Sequence, residues 1–340
     1  MSLPSAFSRY GENIEAELKS LIMGQTLPLY RMMAYQMGWL DEQGEAVEME
    51  TGKRIRSTLC LLACEALGGN LKKALPAAAA LELVHNFSLI HNDIQDDTPE
   101  RHHRPTVWWM WGPAQGINAG DGMHALARLS LLRQTEKGMP PEQALRAVAI
   151  LDTACLRLCE GQYLDLTYQE RVDISQDAYF QMVEGKTSAL MSCAAEFGAL
   201  MASAPEGAVQ AMARYGHKLG LAFQIRNDIL ALWGSGNNGK PLAGDILNKK
   251  KYLPIIYALQ NATGAEKRSL DDVYFKRVME PEDAARVIEV LDRLGARDFS
   301  QEKADTLCQE ALAALDEAGP SSQGADDLIC LAHFLVTRDT

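Results

Sequence analysis

The chain has 340 residues, 47% of them hydrophobic and 23% charged, with a formal net charge of −12. That balance is ordinary for a globular protein with enough chain to bury a sizeable core. It argues against a general binder of nucleic acid or of anionic membranes, while leaving room for a small basic pocket inside an acidic shell.

In chain order, residues 1–20 lack a basic region followed by an apolar run, so no signal peptide is expected. Residues 54–67 read as a helix stopped by Gly68-Gly69-Asn70. A second helix over 76–91 would start on Pro76, whose missing N–H costs nothing at a first helical position. It is apolar nearly all round, the mark of a buried helix. The same period predicts helices over 142–166, 177–204, 208–232, 252–262, 281–294 and 301–318. The most apolar long window, 188–203, contains Glu196 and is too short and too polar to span a bilayer. No stretch alternates with period two and β-branched enrichment, so no sheet is expected. Punctuation at 99–105, 138–141, 234–244 and 319–324 is too short for domain linkers. The expectation is therefore an all-α chain forming a single domain over 1–340, although length alone would suggest two.

The seven cysteines (Cys60, Cys64, Cys155, Cys159, Cys193, Cys308 and Cys330) lie mostly in apolar helical stretches. Without nearby histidines in a ligand pattern they read as reduced thiols, and a cytoplasmic setting is expected.

Two acidic clusters carry the chemistry. The first, HNDIQDD over 91–97, closes the apolar helix. Asp93 and Asp97 are four apart, and Asp93 and Asp96 three apart, so the carboxylates crowd one face. Helix C-termini favour cations, so an acidic cluster here is poorly explained as a cap. A divalent cation would relieve the repulsion, and oxygen ligands of this kind suit Mg²⁺ shared with phosphate oxygens; Mn²⁺ is the alternative. The second cluster, FQIRNDILALWG over 223–234, sets Asn227 and Asp228 beside Gln224 within an apolar helix. A buried Asp there needs a metal or a partner such as Arg226. Basic residues flank both clusters: Lys53, Arg54 and Arg56; Arg101 and Arg104 with His102 and His103; Lys186; Lys240; and Lys249, Lys250 and Lys251. Solvated faces would look the same, but in an acidic protein these groups also suit diphosphate recognition.

At this point the chain resembles the trans-isoprenyl diphosphate synthase (polyprenyl synthetase) family. The strings that carry the resemblance are GKRIR (52–56), LELVHNFSLIHNDIQDD (81–97), RHHRPTVW (101–108), INAGD (117–121), EGQYLDL (160–166), EGKTSAL (184–190), LAFQIRNDIL (221–230) and GKPLAGDILNKKKYLPIIYAL (239–259). The resemblance implies helices around a deep central apolar cavity, usually in a homodimer, with two metal-binding motifs at its mouth. It matches Asn92, Asp93 and Asp96, with Asp97 beside them, to the first motif, and Asn227, Asp228 and Ala231 to the second. It matches Arg101, Lys186 and Lys250 to contacts with an allylic diphosphate, and Lys53, Arg56 and His85 to an isopentenyl diphosphate pocket. Thr187 and Gln224 match polar groups near the developing carbocation, and Phe87 matches a cavity floor that implies a product of twenty carbons first and fifteen second. His102 and Lys240 are further candidates for phosphate contact.

The chain departs from the pattern at Asn92, Asn227 and Ala231, where the family has Asp, and at His102 and His103, where Arg and Gly are usual. Asn ligates without adding charge, so weaker metal binding is expected. Protonation of His102 would make activity pH-sensitive. Two rivals remain at this stage. A class I terpene cyclase is suggested by Asn227 but opposed by Ala231, Ser235 and the Lys53/Arg56/His85 set. A non-catalytic subunit of a heteromeric synthase is permitted by the two Asn residues.

Overall fold

The computed structural model describes residues 5–49, 52–136, 138–234 and 244–339. Sixteen α-helices are described, in the order α1 (Ser5–Ile22), α2 (Pro28–Gln36), α3 (Ile55–Ala66), α4 (Leu71–Gln95), α5 (Val107–Trp111), α6 (Pro113–Leu132), α7 (Pro141–Gln169), α8 (Gln176–Val183), α9 (Ala189–Met201), α10 (Glu206–Trp233), α11 (Gly244–Leu247), α12 (Leu253–Asn261), α13 (Gly264–Tyr274), α14 (Pro281–Arg293), α15 (Ala296–Ala318) and α16 (Ser322–Thr337). A π-helical turn, Glu184–Ser188, joins α8 to α9. The all-α expectation holds, with one addition. Glu100–Arg101 (β1) pairs antiparallel with Arg104–Pro105 (β2). Two residues per strand are too few for a period-two pattern, which is why no sheet was legible.

The stop after α3 is a Schellman motif. Gly68 has φ +74°; its N–H donates to Glu65 O and that of Gly69 to Cys64 O. Asn70 then caps α4, its side chain accepting from Lys72 N at 3.0 Å. So α4 begins at Leu71, and Pro76 lies inside it rather than at its start. The Pro76 carbonyl accepts from Ser130 Oγ at 2.8 Å, tying α4 to α6.

α4 and α9 are buried along most of their length. They pack with α3, α6 and α10, and α15 covers the other side of α10. A smaller apolar cluster gathers Leu232, Ile255, Val273, Val287 and Leu291 around α12–α14. α10, α12 and α15 contribute to both clusters. None of the described helices is long and apolar enough to cross a membrane.

Candidate active site

The first acidic cluster falls where α4 ends. Asp93 is buried at 2% exposure, and its Oδ1 accepts from Arg101 Nε at 2.9 Å and Nη2 at 2.6 Å. Asp96 is the C-cap of α4 and meets Lys250 Nζ at 3.1 Å. Asn92 is half-buried, and Asp97 is exposed with φ +48°. The β1–β2 hairpin that delivers Arg101 turns on His102 and His103, with φ +50° and +60°. A two-residue hairpin loop of this hand needs positive φ at both central positions, which explains Gly as the usual residue at 103. Arg104 is structural: it donates to Tyr35 O and Leu40 O, stacks over the Tyr35 ring at 4.1 Å, and so pins the hairpin to α2.

Lys186 and Lys250 converge on a residue that sequence reasoning did not single out. Asp165 Oδ2 lies 2.7 Å from Lys186 Nζ and 2.9 Å from Lys250 Nζ. Burial opposes ionisation of Asp165, but the two lysines outweigh it and hold the carboxyl down at about 2. Lys250 in turn reaches Asp96, so the node joins α7, the π turn and the first cluster. Two glycines permit this. A Cβ on Gly161 would lie 2.1 Å from Lys186 N, and one on Gly185 would lie 2.4 Å from Arg157 O. The backbones of α7 and the π turn therefore touch, and π turns often mark functional positions. Of the three consecutive lysines, Lys250 alone joins this node: Lys249 donates to Lys276 O, and Lys251 to Gln169 O and Lys249 O.

The second cluster is arranged differently from the sequence expectation. Asp228 is 1% exposed. Its Oδ2 accepts from Tyr179 Oη at 2.6 Å and Leu253 N at 3.1 Å, and its Oδ1 from Gln224 Nε2 at 2.8 Å. Burial pushes this carboxyl up to about 7, against the lowering effect of those three donors. Thr187 Oγ1 donates to Gln224 Oε1 at 2.7 Å, so Thr187, Gln224 and Asp228 form one hydrogen-bonded chain. Arg226 is not the partner of Asp228. It donates instead to Arg338 O and Gln301 Oε1. Asn227 Oδ1 accepts from Arg338 Nη2.

The candidates for the isopentenyl pocket gather at the start of α3. Arg54, at φ +49°, precedes the helix and is clamped by Glu15 Oε1 at 2.7 Å and Glu82 Oε2 at 3.3 Å. Glu82, buried at 2%, also accepts from Ser57 N at 3.3 Å and Oγ at 2.9 Å. It thus caps α3 from α4, because Arg54 has no capping oxygen to offer. This orientation turns Arg56 inward. Its buried Nε has no hydrogen-bond partner among the described residues. Burial, then the nearby Arg56, Arg101, Arg54 and His102, holds the His85 imidazole well below its ordinary value. Partial burial, then Arg101 and His103, also lowers His102, so its protonation is displaced to lower pH. Lys53 lies over the Phe334 ring of α16 at 5.6 Å. Lys240 and the side chain of Asp245 lie outside the described residues. Phe87, 6% exposed, stacks on His124 with centroids 4.7 Å apart and meets His91 edge-on at 5.6 Å.

Asp165, Tyr179, Glu82 and Arg338 are the residues that sequence reasoning passed over. Asp165 was within reach, since it sits four residues after Gly161 in the string 160–166.

Comparison with known proteins matches this arrangement to one family. The polyprenyl synthetase family profile matches residues 37–291. A (2E,6E)-farnesyl diphosphate synthase from Mycobacterium tuberculosis (strain ATCC 25618 / H37Rv) is 37% identical over 311 residues, covering 90% of this chain and 85% of that protein. A geranylgeranyl diphosphate synthase of the same strain is 36% identical over 313 residues, covering 92% and 87%. The crystal structure of polyprenyl synthetase from Streptomyces coelicolor A3(2) has a TM-score of 0.90 to this chain at 34% identity, over 98% of this chain and 99% of that one. With its helical frame, its acid-ended α4 and its lysine node all on that background, the chain belongs to the polyprenyl synthetase family.

Proposed function

We propose that the chain is a short-chain trans-prenyltransferase. It condenses isopentenyl diphosphate with dimethylallyl, geranyl or farnesyl diphosphate and yields geranylgeranyl or farnesyl diphosphate plus diphosphate. The observation that carries this reading is the Asp165 node, where two lysines from different parts of the chain converge and one of them reaches Asp96. An enzyme that ionises an allylic diphosphate needs fixed cations where negative charge grows on the leaving group. The names of the farnesyl and geranylgeranyl relatives support the same substrates.

Lys186, Lys250 and Arg101 hold the allylic diphosphate in this reading. Arg56, His85 and Lys53 hold isopentenyl diphosphate, with His102 at the edge, so that its double bond lies alongside the ionising carbon. The Thr187 and Gln224 oxygens stabilise the cation by their dipoles. Packed apolar helices exclude water that would quench it. The proton lost after coupling goes to the released diphosphate.

Mg²⁺, or Mn²⁺ in its place, fits the first cluster. No three His, Cys, Asp or Glu side chains among the described residues form a ready-made cage. Mg²⁺ does not need one, since it keeps waters and substrate phosphate oxygens. Asp93 and Asp96, with Asn92 and Asp97 beside them, are suitable oxygen donors, and Arg101 and Lys250 already hold the two carboxylates in place. The ion would supply charge stabilisation on the leaving diphosphate.

Phe87 is proposed as the floor that stops elongation, at twenty carbons first and fifteen second. Phe87→Ala should lengthen the product, and an unchanged product distribution would put the floor elsewhere. We also propose that residues 1–340 form one cytoplasmic domain and pair as a homodimer. The apolar α4 lends a dimer no support, because it is covered by helices of its own chain. Better support comes from the exposed Ile117 and Leu129 of α6 and Leu145, Leu156 and Tyr163 of α7. The test of the function is incubation with isopentenyl diphosphate, each allylic starter and Mg²⁺, followed by sizing of the diphosphate products. Elongated products are expected; their absence with every starter would refute the reading.

A further inference from the structure

Lys186 and Thr187 reach different partners from a turn that is π-helical. Across Glu184–Ser188 the Ala189 N–H reaches back five residues, to Glu184 O. Relaxation to an α turn would drop one residue from the ring and rotate the segment by about 100°. Lys186 could then not keep Asp165 while Thr187 kept Gln224. π turns are rare, so contacts around this one have to hold it. Gly161 and Gly185 bring it against α7 on one side. α10 approaches as closely on the other. A Cβ on Gly220 would lie 2.7 Å from Ser188 Cα, and one on Gly216 would lie 2.4 Å from Met191 O.

His217 stands between those two glycines of α10. The buried Ser188, last residue of the π turn, meets it twice, with Oγ 2.6 Å from His217 O and 2.9 Å from His217 Nδ1. The hydroxyl has one proton, and a carbonyl can only accept, so that proton goes to His217 O. Nδ1–H is then the donor to Ser188 Oγ, which sets the tautomer. Nε2 of the same ring faces Glu184 Oε1, at the other end of the turn, from 3.9 Å. Burial lowers the imidazole from its ordinary value; Glu184 opposes this, and Lys218 and Arg157 add to it. The ring is therefore neutral at pH 7, and the working contact is the Ser188 bond rather than an ion pair with Glu184. We propose that His217 is a positioning residue whose Nδ1–H locks Ser188 and so holds the π turn in the register that sets Lys186 on Asp165 and Thr187 on Gln224. This rests on the prenyltransferase reading and deepens it, because Lys186 there meets the allylic diphosphate and His217 acts on that substrate only through the turn.

Two measurements test it. Amide hydrogen exchange, read by mass spectrometry on peptides covering 184–189, needs no turnover. His217→Ala should speed exchange there about fivefold, the scale of one neutral hydrogen bond, and leave the amides of α3 within about twofold of wild type. His217→Asn, whose side-chain N–H can take the place of Nδ1–H, should keep exchange within about twofold throughout. In steady-state assays His217→Ala should raise the KM for geranyl diphosphate about fivefold and lower kcat, with the KM for isopentenyl diphosphate within about twofold. His217→Asn should recover most of both losses. Unchanged exchange at 184–189 in His217→Ala, or an Asn variant no better than the Ala variant, would overturn the proposal. Equal rises in the two KM values would make His217 merely structural and overturn it as well. Failure of the wild type to elongate any starter strikes the functional reading, while hydrogen exchange still decides whether His217 holds the turn.

Discussion

Replacing Asp165 with Asn tests the lysine node most sharply. In the folded protein Asp165 is held at about 2, against an ordinary value of 3.8. That difference corresponds to roughly 2.5 kcal/mol favouring the ionised carboxylate. The variant also leaves Lys250, whose side chain is 9% exposed, without its closer counterion. Breaking one member of a buried ion pair costs about 3–5 kcal/mol, so the chain should lose ~3 kcal/mol of stability at pH 7. Because the folded value is depressed, this stabilisation is present above the unfolded value and is lost as pH falls from about 4 toward 2. Wild type and variant should therefore converge in acid. Diphosphate adds a second arm. If Lys186 and Lys250 face the substrate diphosphate, saturating inorganic diphosphate with Mg²⁺ supplies the missing anion and should reduce the deficit to ~1 kcal/mol. Urea denaturation with and without diphosphate reads both effects. A variant as stable as wild type would refute the node, and a deficit unchanged by diphosphate would refute its orientation toward substrate.

Glu82→Gln should misplace Arg54 and Arg56 together, since one carboxylate holds Arg54 and caps α3. The KM for isopentenyl diphosphate should rise about tenfold while the KM for the allylic substrate stays within twofold; equal rises would make Glu82 merely structural. Gly161→Ala puts a methyl 2.1 Å from Lys186 N, so α7 and the π turn must part. A stability loss of ~1–3 kcal/mol and a drop in kcat are expected, and an unaffected melting temperature would contradict the close approach. Asp228, raised to about 7, keeps a proton in the folded state that the unfolded chain releases. Its contribution is full below the unfolded value near 4 and declines as pH rises toward 7. Relative to Asp228→Asn, wild type should lose about 1.4 kcal/mol per pH unit between pH 5 and 7. Parallel pH–stability curves would show that Asp228 is ionised throughout.

Much of the fold was legible because its helices obey local rules. The Gly68-Gly69-Asn70 stop works as its residues suggest, with a Schellman motif followed by an Asn cap. The same cap defeats the reading of Pro76 as a helix start, since α4 is nucleated earlier and held by Ser130. α6 escaped notice because Ile117, Leu129 and Leu132 face outward and blur its apolar period. Of the candidates taken from the family strings, Lys186, Lys250 and Asp96 meet at Asp165, whereas Thr187 and Gln224 join Asp228 and Asp93 pairs with Arg101. The alternative partner for Asp228 failed on simple geometry: residues two apart on a helix point to different faces, so Arg226 turns toward Arg338. Arg338 itself had no local signal, because its contact with Asn227 joins positions 111 residues apart.

The central claim is that cleavage of the allylic diphosphate is coupled to consumption of isopentenyl diphosphate. The most direct measurement follows both at once, with ¹⁴C-labelled isopentenyl diphosphate, geranyl diphosphate and Mg²⁺, reading label in acid-labile prenyl product and released diphosphate over time. One diphosphate released for each isopentenyl unit incorporated, with little release when isopentenyl diphosphate is withheld, is the expected result. Release from geranyl diphosphate alone, without incorporation of label, or no release under any condition, would contradict it.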